Sequence, residues 1–217
     1  MFNSIHRLKK YFTPDTIFDI GAHHGNWTLS CYQIYPGSRY FMFEPIEYAE
    51  LHRFKHHSQQ FNVKNVILND ENKEVDWFEM RNTGDSIFRE KTSHFSNCIP
   101  LKRQSYTLDS QISEEDYNRM NKVFLKIDCQ GAEIPILKGA SKLLNKVDFI
   151  LLEMPLFGQY NENVPTFLEH IQYMDRIGYN IFEIVEPHYV EGFMMQVDVL
   201  FIKKTHELNK IVQNKIM

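Results

Sequence analysis

Apolar residues along this chain fall into short runs, and the runs alternate with longer amphipathic stretches. Such alternation is typical of an α/β fold, in which helices connect the parallel strands of one sheet. The pattern predicts five buried strands, which are Ile17–Ile20, Arg39–Phe43, Val63–Leu68, Val123–Ile127 and Val147–Leu152. Two later strands, Tyr179–Val185 and Val197–Lys203, are expected to close one edge of the sheet. The 217 residues suffice for one such domain over residues 1–217.

Helices are predicted where apolar residues recur three or four positions apart. They cover Asn26–Ile34, Ile46–His57, Ala132–Leu144 and Pro165–Gly178. Residues 1–14 are expected to form a lead-in helix, and the polar residues 205–217 a C-terminal surface helix. Residues 72–121 are longer than one crossover connection needs, so we expect them to form a cap over the ligand site. Within this cap, Val75–Met80 is predicted as a strand outside the parallel series.

Composition and charge exclude several classes of protein. A net charge of −4 argues against a nucleic-acid binder or a membrane-surface binder. The three cysteines are far apart and match neither a disulfide framework nor a zinc spacing, which favours reduced thiols in the cytoplasm. Residues 1–10 lack the apolar core of a secretory signal, and no window reaches the length of a membrane span. We therefore expect a cytoplasmic protein without a membrane span.

The first strand runs into a turn framed by Gly21 and Gly25, and a helix follows. Strand, glycine turn and helix form the first half of a nucleotide-binding βαβ unit, in which glycine lets a ligand approach the backbone. Asp19 stands just before the turn, where it would repel a phosphate. The spacing also lacks the middle glycine of a dinucleotide fingerprint, which argues against a nicotinamide-dependent oxidoreductase. We expect a ligand with ammonium or hydroxyl groups instead.

Acidic residues follow or end most of the predicted strands, and these ends line the ligand crevice of an open α/β sheet. They are Asp19, Glu44, Asp70, Asp128 and Glu153. Glu44 ends the second strand, where such folds hydrogen-bond ribose hydroxyls. S-adenosylmethionine fits this row because it has an ammonium, a ribose diol and an adenine but no phosphate. Asp19 and its turn would suit the methionine end, Glu44 the ribose, and Asn69–Asp70 the adenine amine.

Several motifs together resemble the FkbM family of methyltransferases, from about Thr16 to Lys203. They are Phe18-Asp19-Ile20-Gly21-Ala22, Phe43-Glu44-Pro45, Leu125-Lys126-Ile127-Asp128-Cys129-Gln130-Gly131-Ala132-Glu133, Leu137-Lys138-Gly139-Ala140 and Gln196-Val197-Asp198-Val199-Leu200-Phe201. The resemblance implies a class I methyltransferase fold, a Rossmann-like seven-stranded sheet with helices on both faces and an antiparallel last strand. It also implies S-adenosylmethionine-dependent methylation, often of a sugar or polyketide hydroxyl. His23-His24 replaces residues that are usually smaller or amide-bearing in this turn.

The candidate residues fall into two groups. Cofactor binding is expected from Asp19, Gly21, Ala22, His23, Gly25, Glu44, Asn69, Asp70 and Asp128. Catalysis is expected from Lys126, Asp128 and Glu133, with His94, Glu153 and His188 as residues that could converge there. Lys126 and Asp128 share one face of a strand, and a structural ion pair that fixes the next loop is the alternative interpretation. No metal ligands are assigned, although Mg²⁺ would suit a row of acids.

The expected function is S-adenosylmethionine-dependent O-methylation of a small hydroxylated molecule, such as a sugar or glycan precursor. Three alternatives stay open at this point. The acceptor could be a carboxylate, an amine or a protein, the fold could serve a non-catalytic nucleotide-binding protein, or the enzyme could use a nicotinamide cofactor. The lead-in helix is a candidate contact in a homodimer.

Overall fold

The computed structural model describes residues 1–57, 59–156 and 159–211. The strands are β1 Thr16–Ile20, β2 Arg39–Phe43, β3 Phe61–Lys64, β4 Ile67–Leu68, β5 Glu74–Trp77, β6 Leu101–Tyr106, β7 Val123–Ile127, β8 Val147–Pro155, β9 Tyr179–Val190 and β10 Phe193–Lys203. The helices are α1 Phe2–Leu8, α2 Asn26–Ile34, α3 His52–Lys55, α4 Glu114–Arg119, α5 Glu133–Lys138 and α6 Phe167–Arg176. No helix among the described residues is both long and apolar enough to cross a bilayer.

Seven strands form the main sheet in the order β3-β2-β1-β7-β8-β10-β9. The first five strands in this order, β3, β2, β1, β7 and β8, run parallel, and β10 is antiparallel to both of its neighbours. Ile20 pairs with Phe43 on one side and with Ile127 on the other, so β1, β2 and β7 end at the same level. The predicted seven-stranded α/β sheet with an antiparallel last strand is confirmed, and its carboxyl edge is where a ligand would bind.

Both faces of this sheet are covered. Ile17 of β1 packs with the buried side chains of α1 and α2, whereas Phe18 and Ile20 pack with those of α5 and α6. All five residues of β1 are buried, which explains why the strand reads as an almost continuous apolar run. The single acid in this run, Asp19, is therefore inside the protein rather than at its surface.

The predicted strand Val63–Leu68 is wrong as one element. It divides into β3 of the main sheet and β4, which pairs with β6 in a second, three-stranded sheet. The side-chain amide of Asn65 donates to the carbonyls of Glu44 and Ile46, at 3.0 and 3.3 Å, and draws the chain aside between the two strands. The β5 strand pairs antiparallel with β6, which confirms a strand outside the parallel series, although it covers Glu74–Trp77 in place of the predicted Val75–Met80.

Two predicted helices are shorter in the structure. In place of Ile46–His57 there is a 3₁₀ turn at Ala49–Leu51 followed by α3, because the chain first bends for Ile46 N–H to bond the Glu44 side chain. In place of Ala132–Leu144, α5 ends at Gly139, where a Cβ would lie 2.2 Å from the Asn69 carbonyl oxygen. The predicted tail helix is helical at residues 208–211, and residues 212–217 lie outside the described chain.

Candidate active site

A cavity of about 530 Å³ opens at the carboxyl ends of β1, β2, β7 and β8. Its wall includes the turn after β1, Glu44, Asp128 and Glu153, and residues 82–87 border it from the segment between β5 and β6. Gln196 of the antiparallel strand β10 also reaches it. A volume of this size is typical of sites that enclose a cofactor or a drug-sized ligand.

The two glycines of the turn are required by packing inside the protein. Gly21 has φ +75°, and a Cβ there would lie 2.0 Å from the Asp128 carbonyl oxygen. Gly25 has φ +76°, and its Cβ would lie 2.5 Å from the Phe54 ring. Glycine tolerates both the left-handed backbone and the close contact. The turn is thus packed against the loop after β7 and against Phe54 by contacts within the protein. The sequence predicts instead that the glycines let a ligand approach the backbone.

Glu44 is held in place by backbone N–H groups. His23, in a left-handed conformation with φ 47°, donates its N–H to Glu44 Oε2 at 2.8 Å, and Ile46 N–H donates to Oε1 at 3.0 Å. Burial raises the pKa of Glu44 to about 7, against the lowering effect of these two hydrogen bonds. The carboxyl group keeps free lone pairs and borders the cavity, so it can accept hydroxyl donors from a ligand.

Three rings form an aromatic wall beside Glu44. His23 and His24 have centroids 4.0 Å apart, and Tyr48 lies 4.8 Å from His23 and 4.3 Å from His24. Burial, and then the neighbouring His24, lower the pKa of His23, so His23 is neutral at pH 7. All three rings line the cavity. The two histidines of the turn thus present flat, polarizable surfaces to a ligand, and Tyr48 was missed by the sequence analysis.

Lys126 and Asp19 form a buried ion pair beneath the turn. Lys126 Nζ lies 3.2 Å from Asp19 Oδ1 and 3.4 Å from Asp128 Oδ2, and it donates to the Gly21 carbonyl at 3.0 Å. The Thr28 hydroxyl donates to Asp19 Oδ2 at 2.6 Å. Burial alone would lower the pKa of Lys126, but the two carboxylates outweigh it and raise the pKa above its usual value. Lys126 is therefore a permanent cation and is unsuited to be a general base.

Asp19 does not line the cavity, and its side chain is fully buried. The alternative interpretation from the sequence pairs Lys126 with Asp128. In the structure Lys126 lies near Asp128 and also pairs with Asp19, and these contacts join β1, β7 and the glycine turn. Glu133 has a comparable position. It is 1% exposed, and its Oε1 accepts the N–H groups of Cys129 and Gly131 at 2.9 and 3.3 Å. Glu133 thus supports the loop after β7 from behind and stays outside the cavity wall.

Asp128 and Glu153 meet at the other end of the cavity from Glu44. Burial, and then the charge of Asp128, raise the pKa of Glu153 well above its usual value, and a hydrogen bond with Asp128 adds to the shift. Glu153 therefore holds a proton more readily than an ordinary glutamate does. Its Oε2 accepts the side-chain amides of Gln130 and Gln196, each at 3.0 Å. The side chain of Asp128 is 36% exposed, so it is open to a ligand in the cavity.

The structure separates the remaining predicted residues from the cavity. Asn69 and Asp70 follow β4, and Asp70 binds Lys73 at 2.8 Å instead of bordering the cavity. The apolar side chains just before them, residues 66–68, do line it. His94 is exposed on the segment between β5 and β6 and does not line the cavity. His188 lies at the edge of the site, where its Nε2 is 2.8 Å from Asp198 Oδ2.

Residues 82–87 are attached to the loop after β7. The Ser86 hydroxyl donates to the Gln130 carbonyl at 3.1 Å, and Gln130 itself has a left-handed φ of 52°. Ser86, Gln130, Gln196 and Asp198 were not predicted as site residues. For the last two a signal exists, because they alternate as polar residues in the otherwise apolar strand β10.

The chain is similar in sequence to one known family. The sequence profile described as Methyltransferase FkbM domain matches residues 19–181. A search of curated proteins finds no match. Among solved structures, an FkbM methyltransferase from Methylobacillus flagellatus KT has a TM-score of 0.53 and 15% identity, and the match covers 86% of this chain. This chain corresponds to 43% of that protein's length.

Two further solved structures share the fold at lower identity. The 1,6-didemethyltoxoflavin-N1-methyltransferase of Burkholderia thailandensis, with bound 1,6-didemethyltoxoflavin and S-adenosylhomocysteine, has a TM-score of 0.54 at 8% identity over 92% of this chain and 75% of its own. The magnesium protoporphyrin IX methyltransferase of Synechocystis PCC 6803, with bound SAM, has a TM-score of 0.50 at 9% identity over 93% of this chain and 77% of its own. The predicted class I methyltransferase fold is confirmed.

Proposed function

Because the chain belongs to the FkbM methyltransferase family, we propose that it transfers a methyl group from S-adenosylmethionine to a hydroxyl of a small molecule, such as a sugar. The observation that carries the proposal is the polarity of the cavity, with the backbone-held Glu44 at one end and the acids Asp128 and Glu153 at the other. Two structural neighbours contain this methyl donor or its demethylated product.

In this proposal the cofactor lies along the carboxyl edge of the sheet. The ribose hydroxyls donate to Glu44, whose carboxyl oxygens keep lone pairs after binding the two backbone N–H groups. The adenine lies against the apolar residues 66–68 and Ile136, which line the cavity nearby. The methionine end, with its ammonium, extends toward the glycine turn and Asp128. The adenine site therefore differs from the polar contact with Asn69–Asp70 expected from the sequence.

The acceptor would enter at the Asp128 end. Its oxygen attacks the methyl carbon in line with the carbon–sulfur bond, which breaks with its electron pair moving to sulfur and leaves S-adenosylhomocysteine. The hydroxyl proton is given up in the same step, and Asp128 is the carboxylate placed to accept it, because its side chain is open to the cavity, whereas Lys126 is a cation without a free lone pair. Gln130 and Gln196 would hold Glu153 in a fixed orientation next to Asp128.

The cap segment 72–121 is proposed to select the acceptor. Residues 82–87 border the cavity, and Ser86 ties them to the Gln130 carbonyl on the loop that carries Asp128. A change in this segment would alter which molecule fits without removing the groups that bind the cofactor. A carboxylate acceptor is disfavoured because it would meet the charge of Asp128 at the point of attack.

A matched set of acceptors tests the proposal. Glucose, glucosamine and glucuronate offer a hydroxyl, an amine or a carboxylate on one sugar frame, and radiolabelled S-adenosylmethionine reports methyl transfer to each. We expect labelling of hydroxyls, identified by NMR as O-methyl groups, and a loss of about 10²- to 10⁴-fold in turnover in Asp128→Asn, with a smaller loss of cofactor affinity. Methylation confined to the amine or the carboxylate group would overturn the hydroxyl acceptor.

A further inference from the structure

We propose that Glu153, His188 and Asp198 bind a divalent transition-metal ion at the Asp128 end of the cavity. One ligand atom of each residue lies within 4.8 Å of the ligand atoms of the other two. None of the three was assigned to a metal by the sequence analysis, and the site is separate from the Glu44 end of the cavity.

The sheet brings these residues together from three adjacent strands. Asp198 of β10 is directly opposite Glu153 of β8, and Gln196, two residues earlier on the same face, is opposite His188 of β9. The three side chains therefore project from one face of the sheet at its carboxyl edge. His188 Nε2 is already 2.8 Å from Asp198 Oδ2. Rigid strands, rather than a flexible loop, thus fix the relative positions of the ligands.

The donor set suits a transition metal. Imidazole nitrogen and carboxylate oxygen both occur among the three protein ligands of catalytic zinc and related ions, which keep an open position, whereas magnesium prefers oxygen atoms alone. With metal–ligand bonds of about 2.0–2.2 Å, neighbouring ligand atoms are roughly 3.0–3.6 Å apart. The His188–Asp198 pair is already slightly closer than this spacing. The three-residue set needs only small side-chain shifts to close around an ion.

Charge also favours a cation here. Asp128, Glu153 and Asp198 lie close enough to influence one another electrostatically. Lys126 is already engaged by Asp19, Asp128 and the Gly21 carbonyl. Asp198 is 3% exposed, so its charge is largely removed from solvent. A divalent ion would offset this concentration of carboxyl groups better than the single imidazole of His188 can.

Glu153 has the hydrogen-bond partners that a metal-ligating carboxylate usually has. Gln130 and Gln196 both donate to Oε2, which fixes the orientation of the carboxyl group. Glu153 and Gln196 border the cavity, so an open metal position would face the acceptor. If the proposed methyl transfer is correct, an acceptor oxygen in that position would lose its proton to Asp128 more readily, because a metal lowers the pKa of a bound hydroxyl.

Metal titration of the untagged protein tests this site directly. After removal of metals with a chelator and dialysis, Zn²⁺ and Co²⁺ are titrated by calorimetry, and Co²⁺ is followed by its visible absorption. We expect one equivalent per chain, with Co²⁺ bands of a low-coordinate site. His188→Gln keeps a hydrogen-bonding side chain beside Asp198 but removes the imidazole, and we expect metal affinity to fall by roughly 100-fold or more.

His52→Gln is the matched control, because His52 also faces a carboxylate, with Nε2 3.3 Å from Glu47 Oε1, on the exposed surface. It is expected to bind metal as the wild type does. No bound equivalent in the wild-type protein, or equal affinity in His188→Gln, would overturn the proposal. S-adenosylhomocysteine is titrated into the same metal-free sample. If the cofactor binds but the metal does not, only the metal-site proposal is ruled out. If the metal binds but the cofactor does not, the result counts against the methyltransferase proposal alone.

Discussion

Replacing Lys126 by methionine tests whether this residue is a structural cation. The substitution preserves an unbranched side chain of similar length but removes the partner of Asp19, which is fully buried with Oδ1 3.2 Å from Nζ. It also removes the hydrogen bond to the Gly21 carbonyl. Breaking a buried pair by removing one partner costs about 3–5 kcal/mol of folding free energy. For a chain of this size, that loss corresponds to a fall in Tm of about 6–20 °C.

The assay is a double-mutant cycle measured by thermal and urea unfolding. Lys126→Met, Asp19→Asn and the double variant are compared with the wild type, and the double variant is expected to be more stable than Lys126→Met. The asparagine of the double variant can still accept the Thr28 hydroxyl, and no unpaired charge is left between β1 and β7. A Lys126→Met protein that is as stable as the wild type yet fails to transfer methyl groups would contradict the structural role and indicate a catalytic role for Lys126.

Two further predictions concern the Glu44 end of the cavity. Gly21→Ala is expected to lower the free energy of unfolding by about 2 kcal/mol or more and to weaken cofactor binding, because the new Cβ would meet the Asp128 carbonyl at a positive φ. Gly37→Ala is the control, because no atom lies within 4 Å of its Cβ position. We expect it to change neither the unfolding free energy nor the cofactor affinity measured by calorimetry. Affinity for S-adenosylhomocysteine is expected to rise about 10-fold from pH 6 to pH 8. Glu44 has a pKa of about 7 and accepts ribose hydroxyls best when it is ionised, so hydroxyl donation to it lowers that pKa. Calorimetry at the two pH values would contradict the assignment if the wild type showed no pH dependence or if Glu44→Gln retained the same dependence.

The parallel strands could be predicted because each is buried on both faces and is read directly as an apolar run. The bounds of β2 and β7 agree with the prediction. Elements that depend on contacts distant in the chain could not be predicted in this way. The break between β3 and β4 follows from the bonds of Asn65 to the Glu44 and Ile46 carbonyls, and the early end of α5 follows from the approach of Gly139 to Asn69.

The candidate site divides along the same line. Glu44 and Asp128 follow the ends of strands, and Glu153 lies near the end of β8, so their place at the carboxyl edge follows from local sequence. Asp19 of β1 lies directly opposite Lys126 of the adjacent strand β7, and the two side chains form a buried ion pair. This pairing can be recognised only when the strand order is known. Glu133 turns back to bind the loop N–H groups for the same non-local reason. Roles of these residues with the cofactor, and a homodimer contact through α1, stay predictions.

We propose above that the cavity at the carboxyl edge binds S-adenosylmethionine with its ribose on Glu44. Calorimetric titration of the wild-type protein with S-adenosylhomocysteine, followed by NADH, tests it most directly. We expect micromolar binding of S-adenosylhomocysteine, a loss of roughly 1–3 kcal/mol in its binding free energy in Glu44→Gln, and no binding of NADH. Binding of NADH alone, or equal binding of S-adenosylhomocysteine by the wild type and Glu44→Gln, would contradict it.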